Sequence, residues 1–550
     1  MAAQNLTAYR GFNSDVPPEV EFVGRTIIAA YEFVEWVAFD VVFGFLFWLW
    51  NLTPAQASVP EKVLPFFGAA FVLALRGLLW SLRFRLQNAL FGRARFARLR
   101  DLRRAGMLAD GGRFLGRVRG RDIAVHGEGH TLTVAAQGGG KTTGLVIPTL
   151  LSYSGTVVVT DPKAAIIAQT QRDRARLGNV ARLSPWSEAL KADPAYGIDL
   201  GDDGFNPLQL VSLTDEGQAS ARLIAGLLLP DVPGEDPYWR IEGRELLEWG
   251  LLFQAANGKP KDRTLPALRE IIYDVTNLMA VMKLYAKGDG KAPGHDVLAP
   301  GARKFRGMVK HGAGGQFSGI MGAATTALKI YTAGTPLARH VSRDGFRLAD
   351  LKSGAVKTLY LVCPPDHLVG DDSKWLNLIL ALICQEVGKP GVARETVLLV
   401  DEFPALGYLP NLAGALEQFR ESGLRAHLFA QNVGQIVGIY GDAGLRRFWG
   451  ACENKQFFRM TDPEQARLVS DWLGQRSVVQ FSANPRGEIS RGHVGVPLVR
   501  PEELMKMPGN RQIIMRVGLD PIRAEVFPYF RRADWAARVD PNPYRGGKKP

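Results

Sequence analysis

The sequence has little cysteine, no low-complexity tract and no surplus of acid. Its three cysteines in 550 residues, Cys363, Cys384 and Cys452, are too few and too scattered for a disulfide framework or a zinc ribbon. They read as buried thiols of a reducing compartment. Around Asp15, Glu19 and Glu21 no basic region leads into an apolar stretch, so no secretory signal is expected. Acidic residues number 54 against 67 Lys and Arg, and the net charge of +13 points to anionic partners, either nucleic acid or the cytoplasmic leaflet. With 46% hydrophobic and 22% charged residues, disordered and fibrous classes are excluded. The length suits about three domains.

What the chain does have begins with two mostly apolar runs, 26–50 and 63–82, each long enough to cross a hydrocarbon core of roughly 30 Å as a helix. Glu32, Glu35, Asp40 and Arg76 oppose this, each at on the order of 3 kcal/mol near a bilayer centre. Glu32 and Arg76 fit at an interface, which leaves Asp40 as the main difficulty. Arg83, Arg85, Arg93, Arg95, Arg98, Arg100, Arg103 and Arg104 follow the second run, so a transmembrane hairpin with the bulk of the chain cytoplasmic is expected. The alternative is a pair of core helices.

An apolar stretch, Thr131 to Val134, runs into Ala135-Ala136-Gln137-Gly138-Gly139-Gly140-Lys141-Thr142-Thr143 and then a helix-like segment. Strand, glycine-rich loop, Lys-Thr and helix start form the order that phosphate binding needs. Glycines let backbone N–H groups close around phosphate oxygens, Lys141 neutralises the β- and γ-phosphates, and the Thr142 hydroxyl ligates Mg²⁺. Gly138, Gly139, Gly140, Lys141, Thr142 and Thr143 are the expected nucleotide contacts. Ala135 stands where a first glycine is usual. Downstream, Thr396 to Val400 is an apolar strand that ends in Asp401-Glu402. In a phosphohydrolase Asp401 holds Mg²⁺ through water and Glu402 polarises the attacking water.

Further apolar runs at 156–160, 358–362, 427–430 and 512–517, with helical stretches between them, predict an α/β fold with a doubly wound, mainly parallel sheet. Asp161 and Gln431 end two of these strands at the edge where a nucleotide sits. From 212 to 341 strand-like runs vanish and helical periodicity dominates, which predicts an inserted all-α domain. Its Arg303, Lys304, Arg306, Lys310, His311 and Lys329 are candidate phosphate contacts. The expected domains are 1–104 (membrane hairpin and basic linker), 105–211 and 342–532 (nucleotide-binding), 212–341 (all-α) and 533–550 (tail). His126 and His130, four apart but flanked by Gly127 and Gly129, make a poor metal site.

These residues resemble the VirD4/TraG type IV coupling proteins, membrane-anchored RecA-like ATPases. The resemblance rests on the hairpin, on AAQGGGKTTGLVIPTLL from Ala135, on Val159 to Lys163, on Phe205-Asn206-Pro207-Leu208 and on Asp401-Glu402-Phe403-Pro404-Ala405-Leu406-Gly407. Ala430-Gln431-Asn432, Arg500 to Leu504 and Gly518 to Ile522 extend it. It implies a RecA-like P-loop NTPase that uses ATP and Mg²⁺ as a homohexamer at the inner membrane. Such a ring brings relaxase-bound DNA or effector proteins to a type IV secretion channel. It also implies that Gln431 is a sensor glutamine and that Arg420, on a helix, is an arginine finger offered to the neighbouring subunit, with Arg425 as runner-up. Ala135 and the Asp161 to Ala165 variant depart from common family patterns. Two other readings are a nucleotide-gated docking receptor for protein secretion and an FtsK-like DNA translocase.

Overall fold

The computed structural model describes residues 74–79 and 91–545, apart from 128, 193–199, 232–235, 289, 312, 369, 391–394 and 484–488. Both apolar runs lie outside the described residues, except for a helical piece at 74–79. Among the described residues no helix is long and apolar enough to cross a membrane.

Thirteen strands are present among the described residues: β1 (Arg113–Val118), β2 (Arg121–Val125), β3 (His130–Ala135), β4 (Thr156–Thr160), β5 (Asn179–Leu183), β6 (Val356–Leu361), β7 (Thr396–Val400), β8 (Leu424–Ala430), β9 (Cys452–Phe458), β10 (Gln475–Ala483), β11 (Ile489–Pro497), β12 (Arg511–Arg516) and β13 (Ile522–Glu525). Eleven of them form one sheet, in the order β2-β1-β13-β12-β9-β3-β8-β7-β4-β6-β5. From β9 to β5 all pairs are parallel. β3, β4, β7 and β8 are buried along their whole length, because a parallel sheet covered on both faces leaves no solvent side. Val157, Val159, Val397, Leu399 and Phe429 share one core with Leu145, Ile147 and Leu150 of the segment after the glycine loop.

The sequence reading of 512–517 as another parallel neighbour needs correction. β12 runs antiparallel to β9 and β13, and β1 and β2 continue this antiparallel end. It has its own core of Leu102, Met107, Leu115, Ile123, Ile514 and Ile522.

Between β5 and β6 no strand occurs among the described residues. Helices Asp215–Leu228, Pro237–Asn257, Leu265–Tyr273, Val275–Lys287, His295–Lys310 and Gly314–Leu328 fill the interval. Local chemistry sets their starts: Thr214, Asp236, Thr264 and Asp274 each accept a backbone N–H from the first turn that follows. The helices Pro237–Asn257 and Leu265–Tyr273 also carry proline in the first turn, where no backbone donor is lost.

The chain divides into two compact units: 95–473 with 499–550, and 1–94 with 474–498. In the smaller one β10 and β11 form an antiparallel ribbon, with Val478 opposite Val494. Arg93 bridges to Arg476 along its edge. The sequence showed no break at 474 or 498.

Candidate phosphate site

β3 delivers the loop. Ala135 is its last residue, fully buried and outside the left-handed region, so its Cβ packs in the core without strain. The turn falls later. Gly138 (φ 68°) and Gly140 (φ 88°) are left-handed, and a Cβ on Gly139 would lie 2.9 Å from the Ala136 carbonyl oxygen. All three glycines are therefore required by the backbone path. Thr142–Val146 then winds as a π-helical turn before the α-helix Ile147–Ser152, and Gly144 N–H donates to Gly140 O at 2.7 Å. Such wide turns occur preferentially at functional sites.

Lys141 is 8% exposed. Its Nζ donates to Ala135 O at 2.9 Å and stands 3.8 Å from a Glu402 carboxylate oxygen. Register explains the meeting of residues so distant in sequence. β8 lies between β3 and β7, with Val134 opposite Ala430 and Val400 opposite Leu428, and β4 flanks β7 with Thr160 opposite Val400. Asp401, Gln431 and Asp161 thus emerge together at the carboxyl edge beside the glycine loop, where α/β sheets bind ligands. Gln431 N–H donates to Gln435 Oε1 at 3.2 Å, and Asn432 caps the helix Val433–Ala451.

The acids are far from ordinary. Burial, and then the charge of Glu402, push the Asp401 carboxyl up to about 6, against the pull of Lys141 and Lys163. Burial raises Asp161 to about 7, although Ile167 N–H donates to it at 2.8 Å. Glu402 is held left-handed (φ 57°, ψ 46°), and its Oε1 is buried without a partner. Strain and an orphaned acceptor in one glutamate, beside a lysine, are typical of a residue kept for chemistry. The groups at the loop fit a triphosphate with its metal: backbone amides of a glycine loop, an ammonium, the Thr142 hydroxyl and two carboxylates.

The structure does not bring every expected residue here. The helix Pro410–Gln418 ends before Arg420, which lies in the turn that enters β8, so its expected helical position is corrected. That places it at the amino end of the strand whose carboxyl end carries Gln431, roughly 20 Å away at about 3.3 Å per residue. Arg425, the second residue of β8, is 6% exposed. It stands 3.4 Å from Glu395 and donates to Arg420 O at 2.5 Å, which makes it a strut rather than a finger. Lys304 is likewise held, 2.7 Å from Glu242 and 2.5 Å from Glu245.

His130 is a core residue: Ala426 N–H donates to its Nδ1 at 2.9 Å, and its Nε2 reaches Leu416 O at 2.7 Å. Burial lowers it to about 4. No metal-binding cluster of His, Cys, Asp or Glu occurs among the described residues. All three cysteines are buried, and burial pushes each up to about 12. One contact escaped the sequence reading. Arg459 Nη1 donates to Gly138 O at 2.8 Å. Its only sequence signal is an arginine directly after an apolar strand end.

Comparison with known proteins agrees with this geometry. The conjugal transfer protein TraG of Escherichia coli is 27% identical over 480 residues, covering 77% of this chain and 72% of the relative. The type IV secretion system-coupling protein VirD4 of Bartonella henselae is 28% identical over 440 residues, 76% of this chain and 65% of its own length. Among solved structures, the plasmid coupling protein TrwB in complex with the ATP analogue ADPNP shares the fold, with a TM-score of 0.58 and 18% identity over 80% of this chain and 95% of that one. The profile described as "Type IV secretory system Conjugative DNA transfer" matches residues 95–545, and the chain belongs to that family.

Proposed function

We propose that the chain is an ATPase that couples nucleotide hydrolysis to substrate transfer through a type IV secretion channel, working as a homohexamer anchored in the inner membrane by the 26–50 and 63–82 hairpin. The observation that carries this reading is the approach of Lys141 to Glu402 at the mouth of a glycine loop with two left-handed residues. Support for the family role comes from TraG and VirD4, and support for ATP and Mg²⁺ from TrwB, which is solved with ADPNP and with ADP and Mg²⁺.

In this mechanism the amides of Gly138, Gly140 and Lys141 orient the phosphates, and the Lys141 ammonium turns from Ala135 O toward them. Thr142 and Asp401 would hold a magnesium ion, which when bound would supply positive charge at the phosphate oxygens. Glu402 orients the attacking water and takes its proton, Gln431 senses the γ-phosphate, and Arg420 of a neighbouring subunit stabilises charge on the transferring group. Supply of Arg420 in trans agrees with its place at the far end of β8. The helices of 212–341 and the +13 charge suit DNA phosphates, contacted without regard to sequence. Relaxase or effector proteins and channel subunits are the expected protein partners.

The test is ATP hydrolysis by the full chain in detergent, with and without single-stranded DNA, beside Glu402→Gln. Turnover that DNA stimulates and that Glu402→Gln abolishes supports the motor. Nucleotide binding without turnover moves the reading to a nucleotide-gated docking receptor.

A further inference from the structure

β9 lies directly beside the strand that delivers the phosphate loop, with Phe458 opposite Ala135. The next residue, Arg459, is left-handed (φ 49°), one of four non-glycine residues with positive φ among the described residues. For a side chain with a Cβ this conformation costs roughly 1–2 kcal/mol, and such strain persists where the surroundings enforce it. Its guanidinium is exposed, and among the described residues its one hydrogen-bond acceptor is the Gly138 carbonyl at 2.8 Å. The Phe458 ring closes the same side of the loop: a Cβ built on Gly139 would meet it at 3.4 Å. Past Met460 the segment turns into the helix Pro463–Leu473, whose buried Gln465 accepts Val433 N–H at 3.2 Å, two residues beyond Gln431. One short segment therefore holds the phosphate loop at one end and the backbone behind Gln431 at the other.

We propose that Arg459 is a positioning residue of the phosphate loop. By holding the Gly138 carbonyl away from the cradle it keeps the loop amides aimed at the phosphates of a nucleoside di- or triphosphate. This rests on the nucleotide-binding reading above. A charge-assisted hydrogen bond to a backbone carbonyl is strong enough for that task. The loop is held from outside by Arg459 on Gly138 O and from inside by Lys141 on Ala135 O.

The experiment uses the full chain and two readouts. Hydrogen exchange of amides 138–144 is followed without nucleotide in the wild type, Arg459→Ala and Arg459→Lys, and binding of fluorescent ADP and ATP analogues is titrated in parallel. The expected result is faster exchange in Arg459→Ala, on the order of tenfold weaker binding of both nucleotides, and recovery of most of the loss in Arg459→Lys. Unchanged exchange and affinity overturn the proposal. So does a loss confined to the ATP analogue with exchange unchanged, which would make Arg459 a ligand of the γ-phosphate. If the wild type binds neither nucleotide, the functional reading fails while the exchange result still decides the role of Arg459.

Discussion

At Lys141 and Glu402 a cation and an acid stand 3.8 Å apart before any substrate is bound, beyond direct hydrogen-bond reach. Replacing Lys141 by Ala removes the ammonium that donates to Ala135 O at the base of the loop. Binding of a fluorescent ATP analogue should fall by roughly 100-fold or more, with the melting temperature nearly unchanged. Asp161 makes a separate prediction about stability. Its folded value, about 7, lies above the ordinary 3.8, chiefly because of burial and also through the charge of Asp401, against the opposing pull of the backbone N–H groups of Ile167, Ile166 and Lys163. The folded state therefore holds its proton more tightly than the unfolded state does. The stability this group contributes is present below pH ~4 and is lost as pH rises to about 7. Asp161→Asn, whose side-chain oxygen can still accept Ile167 N–H, should raise the melting temperature by a few degrees at pH 8 and by clearly less at pH 5. Measured without nucleotide or magnesium, an equal shift at both values would refute this account. Arg425→Ala should instead destabilise, because it leaves Glu395 beside a buried gap, and urea unfolding should register a loss of about 1–3 kcal/mol.

Among the elements, β3 does more than carry the glycine loop. Thr133 in its centre donates to Gln456 Oε1 at 2.8 Å and stands 2.7 Å from His427 Nε2. Gln456 donates to Gln512 Oε1 at 2.9 Å, and both glutamines donate to Leu115 O. A belt of buried polar side chains thus crosses from β8 through β3 and β9 to β12 and β1, tying the parallel half of the sheet to the antiparallel half. Burial drives His427 down to about 3, so it stays neutral in the belt. Thr133→Val keeps the volume and deletes the hydroxyl. It should cost about 2–4 kcal/mol in urea unfolding, because two buried groups lose a partner together. A loss below ~0.5 kcal/mol would mean that the belt is replaceable by water.

At the scale of the whole molecule, a fold whose phosphate loop and Arg420 lie at opposite ends of β8 cannot bring both to one site within a single chain. If Arg420 serves the neighbouring subunit, hydrolysis per subunit should rise with protein concentration. Arg420→Ala mixed with Lys141→Ala should then recover turnover that neither variant shows alone, since each subunit supplies what the other lacks. A mixture no more active than its components would remove Arg420 from the site. The smaller unit, with its ribbon of β10 and β11 tied to residues 91–94, bears none of the residues proposed for the phosphate site.

The phosphate loop, the acid-ended strand β7, the sheet strands β4 and β8 and the helical interval after β5 were legible from residues alone. Each depends on neighbours along the chain: glycines where φ turns positive, unbroken apolar runs where a strand is covered on both faces, and Thr or Asp where a helix needs a cap. The direction of β12, the edge strands β1, β2 and β13, and the grouping of 474–498 with the N-terminal segment were not legible. Short strands with charged ends, such as Arg121 to Val125, carry no local mark of their partners, and pairing direction is decided by which faces are left to cover. The same holds at the site. The sequence alone put Lys141, Asp401, Glu402 and Gln431 forward as candidates for phosphate chemistry, because strand ends of a parallel sheet share one edge. Only tertiary structure decided that Arg420 lies far from that edge, that Arg425 is a strut and that Arg459 holds Gly138, because these depend on register between strands distant in sequence.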